Sequence, residues 1–83
     1  MLKQEFRDEV SLRLRIAFLG WKHDEENRTQ QAFSKLIGVK KRTLWSWLTG
    51  KTLPNIEQLH DICDICNCSA EWILCLTDER RIK

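Results

Sequence analysis

Three consecutive bases, Lys40, Lys41 and Arg42, open the segment of this 83-residue sequence whose side chains are best suited to bind a ligand. If the segment is helical, the side chains three, four and seven residues after Arg42 lie on the same face: Trp45, Ser46 and Thr49. Ammonium and guanidinium groups bind phosphates, and Arg, Ser and Thr side chains can hydrogen-bond to the edges of bases. The pattern is therefore typical of a helix that lies along a nucleic acid.

The charge is unevenly distributed along the chain, although the net charge is only +2. Residues 28–54 contain six bases and no acid: Arg28, Lys35, Lys40, Lys41, Arg42 and Lys51. Residues 55–79 contain six acids and no Lys or Arg: Glu57, Asp61, Asp64, Glu71, Asp78 and Glu79. Folding could scatter these charges, but the helical spacing above favours one face for a polyanion and another for solvent or a partner.

The four cysteines form the second chemically suggestive pattern. Cys63 and Cys66 make a C-x2-C pair, with Cys68 and Cys75 following, and thiolates so placed can hold zinc. A second C-x2-C or a spaced His pair is missing, and reduced cysteine packs as a small hydrophobe. We therefore expect reduced core cysteines, with no metal and no disulfide. His23 and His60 belong to no constellation of Cys, Ser or carboxylate side chains that would make a catalytic set, and His23 with the acids Asp24, Glu25 and Glu26 is expected to form a solvated loop. We therefore expect no enzyme, no cofactor and no small-molecule ligand.

Chain length and composition limit the possible fold classes. A chain this short forms one domain, and one Pro and three Gly leave little room for the turns of a β fold. We predict an all-α, five-helix domain over residues 1–83. The sequence has no apolar run long enough for a membrane span and no signal peptide, so we expect no membrane partner and a cytoplasmic location.

Apolar periodicity and capping residues predict where the helices lie. The expected segments are an arm at 1–3, helices at 4–19, 30–37, 41–49, 56–66 and 70–76, and a tail at 78–83. Gly20 is expected to end the first helix, and Gly38 the second. Thr29, Asn55 and Ser69 are expected as N-caps.

The first predicted helix is apolar on two sides. Its main stripe is expected to face the core: Phe6, Val10, Leu14, Ala17 and Trp21. Leu12, Ile16 and Leu19 lie off that stripe. The second side could pack against a twin subunit or an N-terminal extension.

Residues 29–54 predict two short helices joined by a tight turn at Gly38. Apolar residues are expected to close around one another there: Phe33, Leu36, Ile37, Val39, Leu44, Trp47 and Leu48. Such a pair is a rigid platform that presents its second helix outward, as a helix-turn-helix does.

The sequence from residue 29 to about residue 76 resembles the lambda-repressor-like helix-turn-helix family, the Cro/C1 or XRE type found in phage and prophage repressors. The resemblance is carried by Thr29-Gln30, Leu36-Ile37-Gly38-Val39, Thr43-Leu44, Trp47, Gly50-Lys51, Leu53-Pro54 and the segment 69–74. It implies that the helix over 41–49 enters the major groove of double-stranded DNA. Base-reading residues are then Lys41, Arg42, Trp45 and Ser46. Backbone-contacting residues are Gln30, Gln31, Lys40, Thr43 and Lys51.

Three features depart from the family pattern. The connector before Thr29 is long, so residues 24–27 are expected to form a mobile loop. Lys40 replaces the usual small capping residue, which weakens that cap. Trp45 is larger than the usual outward residue, and it could face DNA or cover the edge of the core.

The resemblance implies a transcriptional repressor that binds pseudo-palindromic operators as a homodimer. A different reading of the same fold is a protein-interaction module, such as an antitoxin or an adaptor. In that case the acidic helices or the second apolar side of the first helix would bind a foreign partner.

Overall fold

In the computed structural model, which describes residues 3–23 and 25–80, the chain is folded into five α-helices. They are α1 (Lys3–His23), α2 (Gln30–Ile37), α3 (Lys41–Leu48), α4 (Ile56–Cys66) and α5 (Ala70–Ile73). The described residues contain no strand, so the predicted all-α, five-helix class is confirmed. Parts of the expected arm and tail, residues 1–2 and 81–83, lie outside the described residues, as does Asp24 of the connector. None of the described helices is long and apolar enough to cross a bilayer.

Helix α1 continues through Gly20 to His23, so the prediction that Gly20 ends it is wrong. The glycine instead leaves room for a side chain from the far end of the sequence. The Arg80 guanidinium occupies the space that a Cβ atom would fill, and it donates to the Ile16 carbonyl at 3.4 Å. Lys22 and His23 then lie in the last turn, where positive charge suits the helix dipole.

The three predicted N-caps are confirmed. The Thr29, Asn55 and Ser69 side chains accept from the backbone amides three residues ahead, at 3.1, 2.8 and 3.4 Å. Asn55 and Gln58 form a full capping box, because the Gln58 side chain also accepts from the Asn55 amide at 2.9 Å. The local sequence therefore determines where α2, α4 and α5 begin.

The last helix is shorter than the range 70–76 expected from the sequence. Cys75 adopts a left-handed conformation (φ 66°), and the Leu76 amide donates back to the Glu71 carbonyl at 2.8 Å. This turn ends α5 at Ile73 and leaves Leu76 exposed, so the expectation that Leu76 belongs to the helix is wrong.

The core lies where α1 crosses the other helices. It contains the predicted α1 stripe apart from half-buried Phe6, together with side chains from every other helix: Val10, Leu14, Ala17, Phe18, Trp21, Phe33, Ile37, Leu44, Trp47, Ile62, Cys63, Cys68, Trp72 and Ile73. Phe18, Trp21 and Phe33 pack ring against ring, with centroids 4.9 to 6.2 Å apart. Leu36 was expected in this cluster, but it is exposed because it lies on the outer side of α2.

Helix α3 packs against α1 and α2, and within the described chain its backbone does not come close to that of α4 or α5. A part-buried hydrogen bond joins it to α1: the Ser11 hydroxyl donates to the Leu48 carbonyl at 2.8 Å. That carbonyl is in the last turn of α3, where the helix itself offers no amide partner. Ser11 therefore supplies the hydrogen-bond donor that the Leu48 carbonyl lacks, and it links α3 to α1.

We expect Ser11→Ala to lower the free energy of unfolding by about 1–3 kcal/mol, because the part-buried Leu48 carbonyl loses its donor. Ser34→Ala is the matched control. Ser34 is equally buried, but its hydroxyl donates within its own helix, to the Gln31 carbonyl at 2.8 Å. That substitution should cost less than about 1 kcal/mol. Urea denaturation of both variants measures the difference, and equal losses would contradict the linking role of Ser11.

Candidate nucleic-acid interface

A tight turn sets the angle between α2 and α3. Gly38 adopts a left-handed conformation (φ 84°), and the Val39 amide donates back to the Ser34 carbonyl at 3.0 Å. This bond closes the end of α2, and half-buried Val39 packs against the core just beyond it. Only two residues then separate the turn from the first residue of α3.

The two sides of α3 differ sharply in exposure. Leu44 and Trp47 are 1% and 2% exposed, whereas Trp45 is 50% exposed. Arg42 and Thr49 are also exposed on the side of Trp45. The orientation predicted from the helical spacing is confirmed by this burial pattern: the polar and aromatic side faces solvent, and the aliphatic side faces the core.

The first turn of α3 is basic and uncapped. Lys40 is the N-cap residue, and its side chain makes no capping hydrogen bond, as expected from the departure at that position. Lys40, Lys41 and Arg42 are all exposed. Amides without a cap and three positive side chains at one helix N-terminus are suited to bind an anion.

The other end of α3 is closed by its own backbone. Gly50 adopts φ 79°, and the Lys51 amide donates to the Ser46 carbonyl at 3.0 Å. This turn brings the Lys51 ammonium to 4.9 Å from the centre of the Trp45 ring. A cation over an aromatic face is attracted by the ring quadrupole, so Trp45 is a platform for Lys51.

The Ser46 side chain is half-buried and already hydrogen-bonded. Its hydroxyl lies 2.8 Å from the Thr52 hydroxyl, in the loop after α3. A hydroxyl has one donor and two acceptor positions, so this contact leaves Ser46 able to make a further bond. Of the four predicted base-reading residues, Ser46 is the one most engaged by the protein itself.

Gln30, the first residue of α2, lies beside the outward side of α3. It lines a cleft of about 300 Å³ with Trp45 from α3, with Thr49, the C-cap residue of that helix, and with Arg15 and Leu19 from α1. Exposed Arg15 also lines the adjacent cleft with Thr49. Sequence reasoning missed Arg15 because its position beside α3 depends on how α1 crosses the domain.

Of the other predicted backbone contacts, Gln31 is exposed on α2, and Thr43 is half-buried on α3. The structure brings Gln30 and Lys51 each next to Trp45. Arg42 lies one turn before Trp45 on the same side of α3, and Lys41 is exposed in the first turn of the helix.

The basic segment does not contribute all of its charges to this surface. The Arg28 guanidinium donates to the Trp21 carbonyl at 3.1 Å, pairs with Glu25 at 3.7 Å, and lies 5.1 Å from the Trp21 ring centre. Arg28 therefore ties the connector to the end of α1. The acids of residues 55–79 lie on α4, α5 and the segment after α5, and the described backbones of α4 and α5 do not come close to that of α3.

The cysteines lie in and around the core. Interaction with the Cys68 side chain, followed by burial, raises the pKa of Cys63, whereas the same interaction lowers the pKa of Cys68. Burial raises the pKa of the Cys66 thiol to about 12. The raised pKa values favour the protonated form of Cys63 and Cys66, whereas metal binding requires thiolate. Among the described residues, no group of three or more His, Cys, Asp or Glu side chains is placed to hold a metal ion.

The family model described as helix-turn-helix matches residues 24–73, which is more than half of the chain. That family consists of DNA-binding regulators and is not characteristically enzymatic. No curated protein and no solved structure gives a significant match to the chain.

Two glycines with the same conformation but different surroundings allow a matched test of how α3 is held. A Cβ atom at Gly50 would lie 3.3 Å from the Asp8 carboxylate and 3.6 Å from the Ser11 Cβ, whereas one at Gly38 would meet nothing within 4 Å. We expect Gly38→Ala to lower the free energy of unfolding by about 1 kcal/mol, from left-handed strain alone. Gly50→Ala should lower the free energy of unfolding further, because Asp8 and Ser11 of α1 must also shift to make room for the new methyl group. Thermal and urea unfolding measure both, and a smaller cost at Gly50 would contradict the close packing of this turn on α1.

Proposed function

The chain belongs to the helix-turn-helix family of DNA-binding regulators, and on that premise we propose that it is a transcriptional repressor of the phage type. It binds pseudo-palindromic operators in double-stranded DNA as a homodimer, acts in the cytoplasm at the nucleoid, and blocks transcription by covering a promoter. The observation that carries this proposal is the outward side of α3, where Arg42, Trp45 and Thr49 face solvent behind an uncapped basic first turn.

Base reading is assigned to the exposed side of α3. Lys41 and Arg42 stand at the end of the helix that enters the groove first, and the Arg guanidinium matches the two acceptors of guanine. Trp45 offers an apolar ring edge for a thymine methyl group. Ser46 reads through the hydrogen-bonding capacity that its contact with Thr52 leaves free.

Phosphate contacts surround that surface. They are assigned to Gln30, Gln31, Lys40, Thr43 and Lys51. We add Arg15 to this set, because it is exposed in the clefts beside Thr49 and Trp45 and forms no ion pair with another described residue. These contacts position α3 on the duplex without reading sequence.

A homodimer follows from the size of the surface. One eight-residue helix with its neighbours buries too little area for tight, specific binding, whereas two copies double the contact. Two recognition helices roughly 34 Å apart would read half-sites one turn of duplex apart.

One observation favours a second candidate, a protein-interaction module. Leu12, Ile16 and Leu19 are exposed in a line on α1, and Leu19 adjoins the cleft at Trp45. A foreign protein could cover this apolar surface. Sedimentation with and without a random duplex at low salt separates the two functions, because only the repressor changes its sedimentation rate with DNA.

We expect Arg42→Ala to weaken binding by about 1–3 kcal/mol per half-site on the preferred operator, and much less on duplexes altered at the contacted guanine. Arg42→Lys is the matched control, since it keeps the charge but loses the two-pronged hydrogen bond. Selection of duplexes from a random pool supplies the operator, and titration by fluorescence anisotropy measures the affinities. Equal losses on every duplex would remove Arg42 from base reading.

Lys51→Ala should instead weaken binding to all duplexes to a similar degree. Because Lys51 is assigned to a phosphate, its loss should reduce the slope of log affinity against log salt by about 1 per subunit. Titrations between low and moderate salt measure the slope, with Lys51→Arg retaining it. An unchanged slope for Lys51→Ala would place this lysine away from the DNA backbone.

A further inference from the structure

Helix α1 exposes a line of three aliphatic side chains on the side opposite the core. Leu12, Ile16 and Leu19 are 42%, 38% and 58% exposed, and their spacing places them along one face. Leu36 and Ile56 are also exposed, each singly on another helix, and Leu76 is exposed in the segment after α5. Single exposed apolar residues are ordinary, whereas an apolar line along a helix needs a partner surface to cover it.

The charges around this line are divided between its two ends. Glu5 and Asp8 flank the N-terminal end, and Arg15 and Lys22 flank the C-terminal half; all four are exposed. None of the four forms an ion pair with another described residue. The face is therefore acidic at one end, apolar in the middle and basic at the other.

We infer that this face, which we call the α1 face, binds the α1 face of a second copy of the chain in the antiparallel direction. An antiparallel copy places the acidic end of each helix beside the basic end of the other, whereas a parallel copy would bring like charges together. When the second helix runs in the opposite direction, the apolar side chains of the two copies lie opposite one another. Leu12 lies opposite Leu19 of the partner subunit, the two Ile16 side chains meet near the two-fold axis, and Asp8 lies level with the partner's Lys22. The interface is thus isologous, as two-fold symmetry requires.

The size of the α1 face predicts a weak dimer. Three partly covered aliphatic side chains per copy bury less than the roughly 1,200–2,000 Å² of a stable, specific interface. The subunits should therefore exchange freely in dilute solution and associate more strongly when both are bound to one duplex. This inference identifies the interface for the homodimer in the proposed function, but it can be tested without DNA.

Sedimentation equilibrium of the full chain at low salt, at concentrations up to about 1 mM, tests the interface directly. The wild-type chain should show a monomer–dimer equilibrium. Leu19→Glu should raise the dissociation constant at least about tenfold, because a carboxylate would enter the apolar centre. Leu36→Glu is the matched control, since Leu36 is 59% exposed on α2, and it should leave the equilibrium unchanged.

Charge reversal tests the antiparallel direction. Asp8→Lys and Lys22→Glu should each weaken the dimer several-fold, and the double variant should restore it, because the new lysine of each copy meets the new glutamate of the other. Circular dichroism verifies that each variant is folded. A wild-type chain that stays monomeric, an equal effect of Leu36→Glu, or a double variant that is not restored would each overturn the inference.

The DNA experiment separates failure of this interface from failure of the proposed function. Leu12 lines neither cleft beside α3, so Leu12→Glu should abolish the dimer while the monomer keeps its affinity for a single half-site. A wild-type dimer that ignores every duplex would contradict the repressor function and leave the interface in place. A chain that binds paired half-sites as a dimer formed through another surface would contradict the interface and leave the repressor function in place.

Discussion

The burial of Leu44 and Trp47 beneath α1 and α2 is the constraint on which the rest of this molecule depends. An isolated helix of eight residues is not stable in water, so α3 exists because these two side chains are almost fully enclosed by the core. The same anchoring determines which side of α3 remains outside. Burying Leu44 and Trp47 leaves Arg42, Trp45 and Thr49 in solvent, and no other rotation of the helix would satisfy the core.

The two ends of α3 serve this surface in different ways. The Ser11 hydroxyl donates to the C-terminal end and links the helix to α1. The turn at Gly50 closes the same end and places Lys51 over Trp45. The N-terminal end keeps an uncapped first turn among three bases. An open N-terminus costs some helix stability, which an anionic ligand can restore by accepting from the free amides. The helix is therefore held by the protein at its C-terminal end and lacks a side-chain cap at the end offered to a ligand.

Local signals in the sequence predict most of this fold, and the errors arise where distant residues meet. The caps at Thr29, Asn55 and Ser69 act within three residues, so their sequence context was sufficient. Gly20 was misassigned because Arg80, sixty residues away, lies against it, and Arg15 was missed because only the crossing of α1 brings it beside Thr49. At the candidate site, the outward side of α3 was predictable from helical spacing. The contact of Lys51 with Trp45 and of Ser46 with Thr52 was not, because both depend on the path of the loop.

The most direct test of the central claim is an NMR titration of the isotope-labelled chain with a duplex selected for binding. We expect the backbone amides of residues 40–51, the Gln30 amide and the Trp45 indole to shift on binding, while the indole of buried Trp47 and the amides of α4 and α5 stay in place. Shifts confined to α4 and α5, or no shifts at low salt, would contradict the claim that the exposed side of α3 is the DNA-binding surface.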